Sequence, residues 1–231
     1  MEYNIDMDKI SREDKLDFLI DISKGHLEPG TDWDTVYNYY YGKRGLSIYG
    51  SAMNVAYGTL SRTLGGIKDF ANKKPMYKEA NEYLENRLRG IAVSSQEEFD
   101  AWHEETADEI KRIYAKYGWD LNYGQIQKWI NMSMKHLAIA GMENIAKVYE
   151  FCHIPVDSYI IDGVRNKLFP QEFWDIDYTF GQKGYIAWSN IDSYDVYLKF
   201  QKDFRERCGG VAPLDKEFHF WLDAKEDKNN G

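Results

Sequence analysis

Cysteine is almost missing from this 231-residue chain: Cys152 and Cys208 are the only two, and they form no CxxC pair. Disulfide frameworks, structural zinc sites and iron–sulfur clusters all need grouped thiols, so none is expected. Long apolar runs are missing too, and no stretch approaches the length of a membrane span. The first residues, Met1-Glu2-Tyr3-Asn4-Ile5-Asp6, are acidic where a signal peptide would be basic. The expectation is a cytoplasmic protein without membrane, metal or cofactor. Segments alternating apolar and polar residues are also scarce; only short strands near Tyr178–Tyr185 remain conceivable. There is no internal repeat and no low-complexity linker.

Positive charge is in short supply overall. The formal net charge is −9, which on the sum argues against a phosphate-rich partner. The distribution is uneven, however. Residues 97–109 carry seven acids and no Lys or Arg, and residues 1–34 carry ten acids against four bases. Residues 111–135 carry Lys111, Arg112, Lys116, Lys128 and Lys135 against Asp120 alone, and residues 62–89 carry seven bases against four acids. This asymmetry is compatible with one DNA-facing side and a repelling back, but charge blocks on helical proteins are usually just solvated faces.

What is present is helix. With 43% hydrophobic residues, the chain can build one sizeable helical domain, read here as an all-α fold of two closely packed lobes. Ser95 with Glu98 forms a capping-box pattern opening a helix through Phe99, Trp102, Ile110 and Ile113 to Tyr117. Ile126, Ile130, Met134 and Leu137 form the apolar stripe of the next, which closes near Gly141. Further helices are expected over Asp8–Ser23, Asp34–Tyr41, Ser47–Leu64, Met76–Leu88, Asn144–Phe151, Ser158–Leu168, Ser193–Arg207 and Leu214–Leu222. Gly65 to Pro75 reads as the main internal loop and Lys225–Gly231 as a frayed tail.

Two residues point at chemistry. Lys128 stands early in the Ile126 helix, off its apolar stripe and on the same face as Lys135 seven residues later. Asp157 follows Pro155, which restrains the residue before it to an extended shape, and stands where the Ser158 helix begins. An aspartate there is a preferred N-cap, and a lysine off the stripe is ordinarily solvated. Facing each other across a helical turn, the two could instead attack a sugar carbon.

The segment Ile154-Pro155-Val156-Asp157-Ser158-Tyr159 resembles the Val-Pro-Val-Asp-Thr-His element of the helix-hairpin-helix DNA glycosylases, with Ser and Tyr in place of Thr and His. Leu121-Asn122-Tyr123-Gly124-Gln125-Ile126-Gln127-Lys128 is similar to a degenerate form of that family's hairpin. The resemblance covers about residues 110–170, and the 29-residue gap between Lys128 and Asp157 is nearest to the archaeal 8-oxoguanine glycosylase branch. Only Gly124 remains of the usual Gly-x-Gly turn, so phosphate binding would fall to free N–H groups at Gly124–Gln125.

The resemblance implies excision of a damaged or modified base from DNA, in repair or against modified foreign DNA. Asp157 would stabilise positive charge on the deoxyribose. Lys128 would either form a Schiff base, with strand cleavage to follow, or leave the attack to water. Flipped bases are gripped by aromatic faces and polar edges. Tyr123, Trp129 and Trp188 are the candidates for stacking, and Gln125 and Gln127 for reading a base edge. The partner would be DNA. Oligomeric state is not readable from the sequence, and a monomer is the expectation.

The competing reading is a non-catalytic acidic helical adaptor or DNA-binding module, in which Asp157 is only a cap and Lys128 only a surface residue. His103, His136, His153 and His219 have no neighbours at metal-ligand spacing. Gly50-Ser51-Ala52 and Gly65-Gly66 lack the strand–turn–helix context of a nucleotide loop.

Overall fold

Short polar side chains set where the helices start. Ser11, Asp32, Ser47, Ser95 and Ser193 each sit in extended backbone and accept a hydrogen bond from the N–H three residues on, satisfying a donor the helix cannot. A computed structural model describes residues 10–167 and 187–229. Among the described residues the chain is all-helical, with ten α-helices, three short 3-10 turns and no strand. The α-helices are α1 Arg12–Ile22, α2 Trp33–Tyr41, α3 Ile48–Ser61, α4 Lys73–Arg89, α5 Gln96–Lys116, α6 Tyr123–Ile139, α7 Glu143–Ala146, α8 Ser158–Lys167, α9 Tyr194–Glu206 and α10 Pro213–Asn229. Leu168 and the strands considered near Tyr178–Tyr185 lie outside the described residues.

The boundaries depart from the sequence expectation in four places. α1 begins at Arg12, because Ser11 caps it; Asp8 and Lys9, where it is expected to open, lie outside the described residues. The loop expected from Gly65 to Pro75 is shorter: it folds a 3-10 turn at Ile67–Asp69, and α4 starts at Lys73. Pro75 falls in the first turn of α4, where its missing N–H costs nothing. The helix expected over Asn144–Phe151 divides into α7 and a 3-10 turn, Tyr149–Phe151. α10 continues to Asn229, through most of the tail expected to fray.

α6 is the axis of the molecule. Every residue from Gly124 to Leu137 is buried, although only part of that helix is apolar. α3 packs along it most extensively, with α5, α9 and α7 also against it. Trp129, Ile126, Ile130, Met134 and Leu137 are fully enclosed, and each such side chain contributes about 1.5–3 kcal/mol of hydrophobic stabilisation. The buried apolar residues of all ten helices form one cluster. No described helix is long and apolar enough to cross a membrane.

Candidate active site

Burying α6 all round forces its polar side chains to find partners inside the protein. They find them on the segment Cys152–Asp157. This segment is extended rather than helical, as the residue before Pro155 must be, so its backbone groups have no helix to satisfy them. Gln127 supplies two: its Nε2 donates to Val156 O at 2.9 Å and its Oε1 accepts from Val156 N at 3.1 Å. Gln201 of α9 clasps Ile154 in the same way, with both bonds at 2.9 Å. Asn131 adds a third bond to Ile154 O at 2.9 Å.

Beside these, His153 is held between Asp100 Oδ1 and the Tyr197 hydroxyl, both at 2.9 Å. His103 sits between the Tyr194 hydroxyl at 2.9 Å and Asn131 Oδ1 at 3.0 Å. Burial keeps both imidazoles below their ordinary pKa, against the raising effect of Asp100. These histidines are structural: they brace the extended segment that carries Asp157.

The geometry that follows joins Lys128 to Asp157. Lys128 Nζ donates to Asp157 Oδ2 at 2.8 Å, and only 6% of Lys128 is exposed. Asp157 Oδ1 accepts the Ile160 N–H at 3.0 Å, capping α8. Burial alone would raise the Asp157 carboxyl. The Lys128 ammonium, the Ile160 N–H and the nearby Lys135 together outweigh it and hold the group below its usual value. The Trp188 ring lies with its centre 6.0 Å from Lys128 Nζ.

Both charged groups open into a cavity of about 510 Å³, which also takes in Trp188, Ser158, Tyr159, Trp221, Phe18 and Met132. That is the size range of small-molecule sites. A second ion pair stands in its wall. Lys135 Nζ meets Glu217 Oε2 at 2.5 Å, with both side chains nearly sealed from solvent, and the ammonium lies between the rings of Phe18 and Phe218. Burial lowers the Lys135 pKa and raises that of Glu217, each opposed by the other. Among the described residues, no three or more His, Cys, Asp or Glu converge so as to hold a metal ion.

Of the five residues expected to hold substrate, only Trp188 lines this cavity. Gln127 is spent on Val156 and on Gly124 O. Gln125 turns the other way: its Nε2 donates to Thr63 O at 3.2 Å, and its Oε1 accepts from Asn122 N. Trp129 is fully enclosed, with Nε1 donating to Met53 O and its ring against Tyr57 and Tyr77. Tyr123 donates to Asp108 at 2.6 Å and lies under Lys111.

Two further expectations are corrected. The N-terminus of α6 is not bare: the Gly124 N–H donates to Ile191 O at 2.9 Å. The 3-10 turn Trp188–Asn190 is packed so tightly there that a Cβ on Gly124 would stand 1.9 Å from Trp188 O. Gly124 is therefore required for the close approach of this turn, not for a phosphate. The basic block 111–135 is likewise not a surface stripe. Lys128 and Lys135 are buried against acids, and Arg112 and Lys116 pair with Glu109 and Glu79.

Sequence reading missed Glu217, Trp221, Phe18 and Arg62 at this cavity. They come from α1, α10 and the end of α3, remote from Asp157 in the chain, and no local motif marks them. Lys135 alone had a signal, its seven-residue spacing from Lys128. Compared with known proteins, the chain matches no family model, no curated protein and no solved structure.

Proposed function

We propose that the protein is a DNA N-glycosylase that removes a damaged or modified base, with Asp157 and Lys128 as its catalytic residues. One observation carries this reading: a lysine and an aspartate 29 residues apart in sequence meet at 2.8 Å inside a cavity. A buried ion pair is weak evidence of a stabilising role, since apolar residues of the same volume often do as well. At the wall of a cavity, such a pair instead marks a candidate site.

The chemistry divides between the two groups. Breaking the N-glycosidic bond builds positive charge on the deoxyribose, and the Asp157 carboxylate, kept ionised by its surroundings, stabilises it. The base departs with the bonding electrons while Asp157 is ionised; Lys128 then attacks C1′, its ammonium proton passing to Asp157 Oδ2 as the bond forms, and a covalent sugar–lysine adduct results. If water attacks instead, the product is a plain abasic site. The aromatic walls, Trp188 and Trp221, suit a planar base withdrawn from the duplex.

The adaptor reading calls for an exposed lysine, and Lys128 is buried, which favours the enzyme. The test is incubation with duplex oligonucleotides carrying a panel of modified bases, followed by alkali. The expected result is strand scission at one or more of them with wild type and none with Asp157→Asn. Borohydride trapping of a protein–DNA adduct, lost in Lys128→Gln, identifies lysine as the nucleophile. A wild-type protein that leaves every substrate intact removes the proposal.

A further inference from the structure

A DNA enzyme with a net charge of −9 must meet phosphates with local cations, and the α6 N-terminus is closed to them by Ile191 and Trp188. The charged residues lining the cavity are Asp21, Lys24, Arg62, Lys128, Lys135, Asp157 and Glu217. Lys128 and Lys135 are buried and neutralised by Asp157 and Glu217. Lys24 and Arg62 are different: both are exposed, neither makes an ion pair among the described residues, and together they outweigh Asp21.

Arg62 is also held in place. It closes α3, and its Nε donates to Gly58 O at 3.1 Å. That fixes the stem and leaves the two terminal nitrogens of the guanidinium for a bidentate acceptor. The next residue, Thr63, accepts twice from Gln125 of α6, which ties this edge of the cavity to the helix carrying Lys128. Lys24, also in the lining, has φ 56°, the one described non-glycine residue in left-handed backbone. Gly or Asn would fit that turn with less strain, yet a long cation stands there. Left-handed backbone held at a site edge is a pointer to function.

We infer that Lys24 and Arg62 form a phosphate clamp at the cavity mouth, gripping the DNA backbone beside the extruded nucleotide. This rests on the base-excision reading above. The two are positioning residues: they hold the strand while Asp157 and Lys128 act on the sugar.

The experiment measures binding of duplex DNA carrying a tetrahydrofuran abasic analogue, as a function of salt, for wild type, Lys24→Asn, Arg62→Gln and the double variant. Asn keeps the left-handed turn while removing the charge. The slope of log K against log salt is expected to shrink by about 0.9 for each single variant and by about twice that for the double. Lys24→Arg should restore it, and excision at saturating DNA should stay near wild type, so the loss appears in KM rather than kcat. A double variant with the wild-type slope and affinity overturns the clamp and leaves the base-excision reading standing. Wild type that neither binds this DNA nor excises any base overturns both.

Discussion

Asp157 divides its carboxylate between two partners: Oδ1 accepts the Ile160 N–H at 3.0 Å, and Oδ2 accepts from Lys128 Nζ at 2.8 Å. Capping and pairing, posed as alternatives by the sequence, are thus both true of one side chain.

The two roles are separable by substitution. Asp157→Asn retains the capping oxygen but leaves the buried Lys128 ammonium without its counter-charge. It should lower the unfolding free energy by about 2 kcal/mol, less than a fully buried pair because Asp157 is partly exposed. Asp157→Ala should cost about 1 kcal/mol more through loss of the cap. Urea unfolding of the three proteins measures both steps, and equal stability of the two variants would remove the cap from the account.

Gly124→Ala tests the contact that closes α6. The added methyl would stand 1.9 Å from Trp188 O, a backbone atom that no rotamer change can move. The Trp188–Asn190 turn must shift, breaking the bond from Gly124 N to Ile191 O. Destabilisation of about 1–3 kcal/mol is expected, with faster amide exchange over residues 123–126. A variant with unchanged Tm and exchange would show that the turn does not rest there.

Acid should weaken the fold through His136. Burial first, and then the neighbouring Lys135 charge, hold its pKa down at about 3, against 6.5 for an ordinary imidazole. As pH falls through 6.5 the unfolded chain takes up this proton and the native protein does not, until about 3. Stability from this group is complete above about pH 7 and declines between 6.5 and 3, by up to about 1.4 kcal/mol per pH unit. The difference between wild type and His136→Phe isolates it from the carboxyls. Asp157 adds to the acid loss, whereas Glu217 and Asp215, raised by burial, oppose it. Parallel pH profiles for the two proteins would contradict the assignment.

How much was legible beforehand depends on how local the signal is. The Ile126, Ile130, Met134 stripe located α6 because a helix repeats along its own axis. Asp157 was legible as a helix start after Pro155 for the same reason. The surroundings of Lys128 were not: off the stripe it read as solvated, yet it is buried, because neighbours enclose α6 on every side. Gln125, Gln127, Trp129 and Tyr123 stand beside Lys128 in the chain, and the helix turns them to other faces, where backbone and core claim them.

By itself the sequence determined the helices, most of their starting residues, and the two side chains that meet. Propensity, capping and periodicity act between residues a few positions apart, and they leave a mark that can be read from the chain alone. Only the tertiary structure decided that Lys128 would be buried, that Glu217, Trp221 and Arg62 would share its cavity, and that Trp188 would close the end of α6. Those outcomes depend on which helix faces are pressed together, and packing between distant segments leaves no pattern in either one.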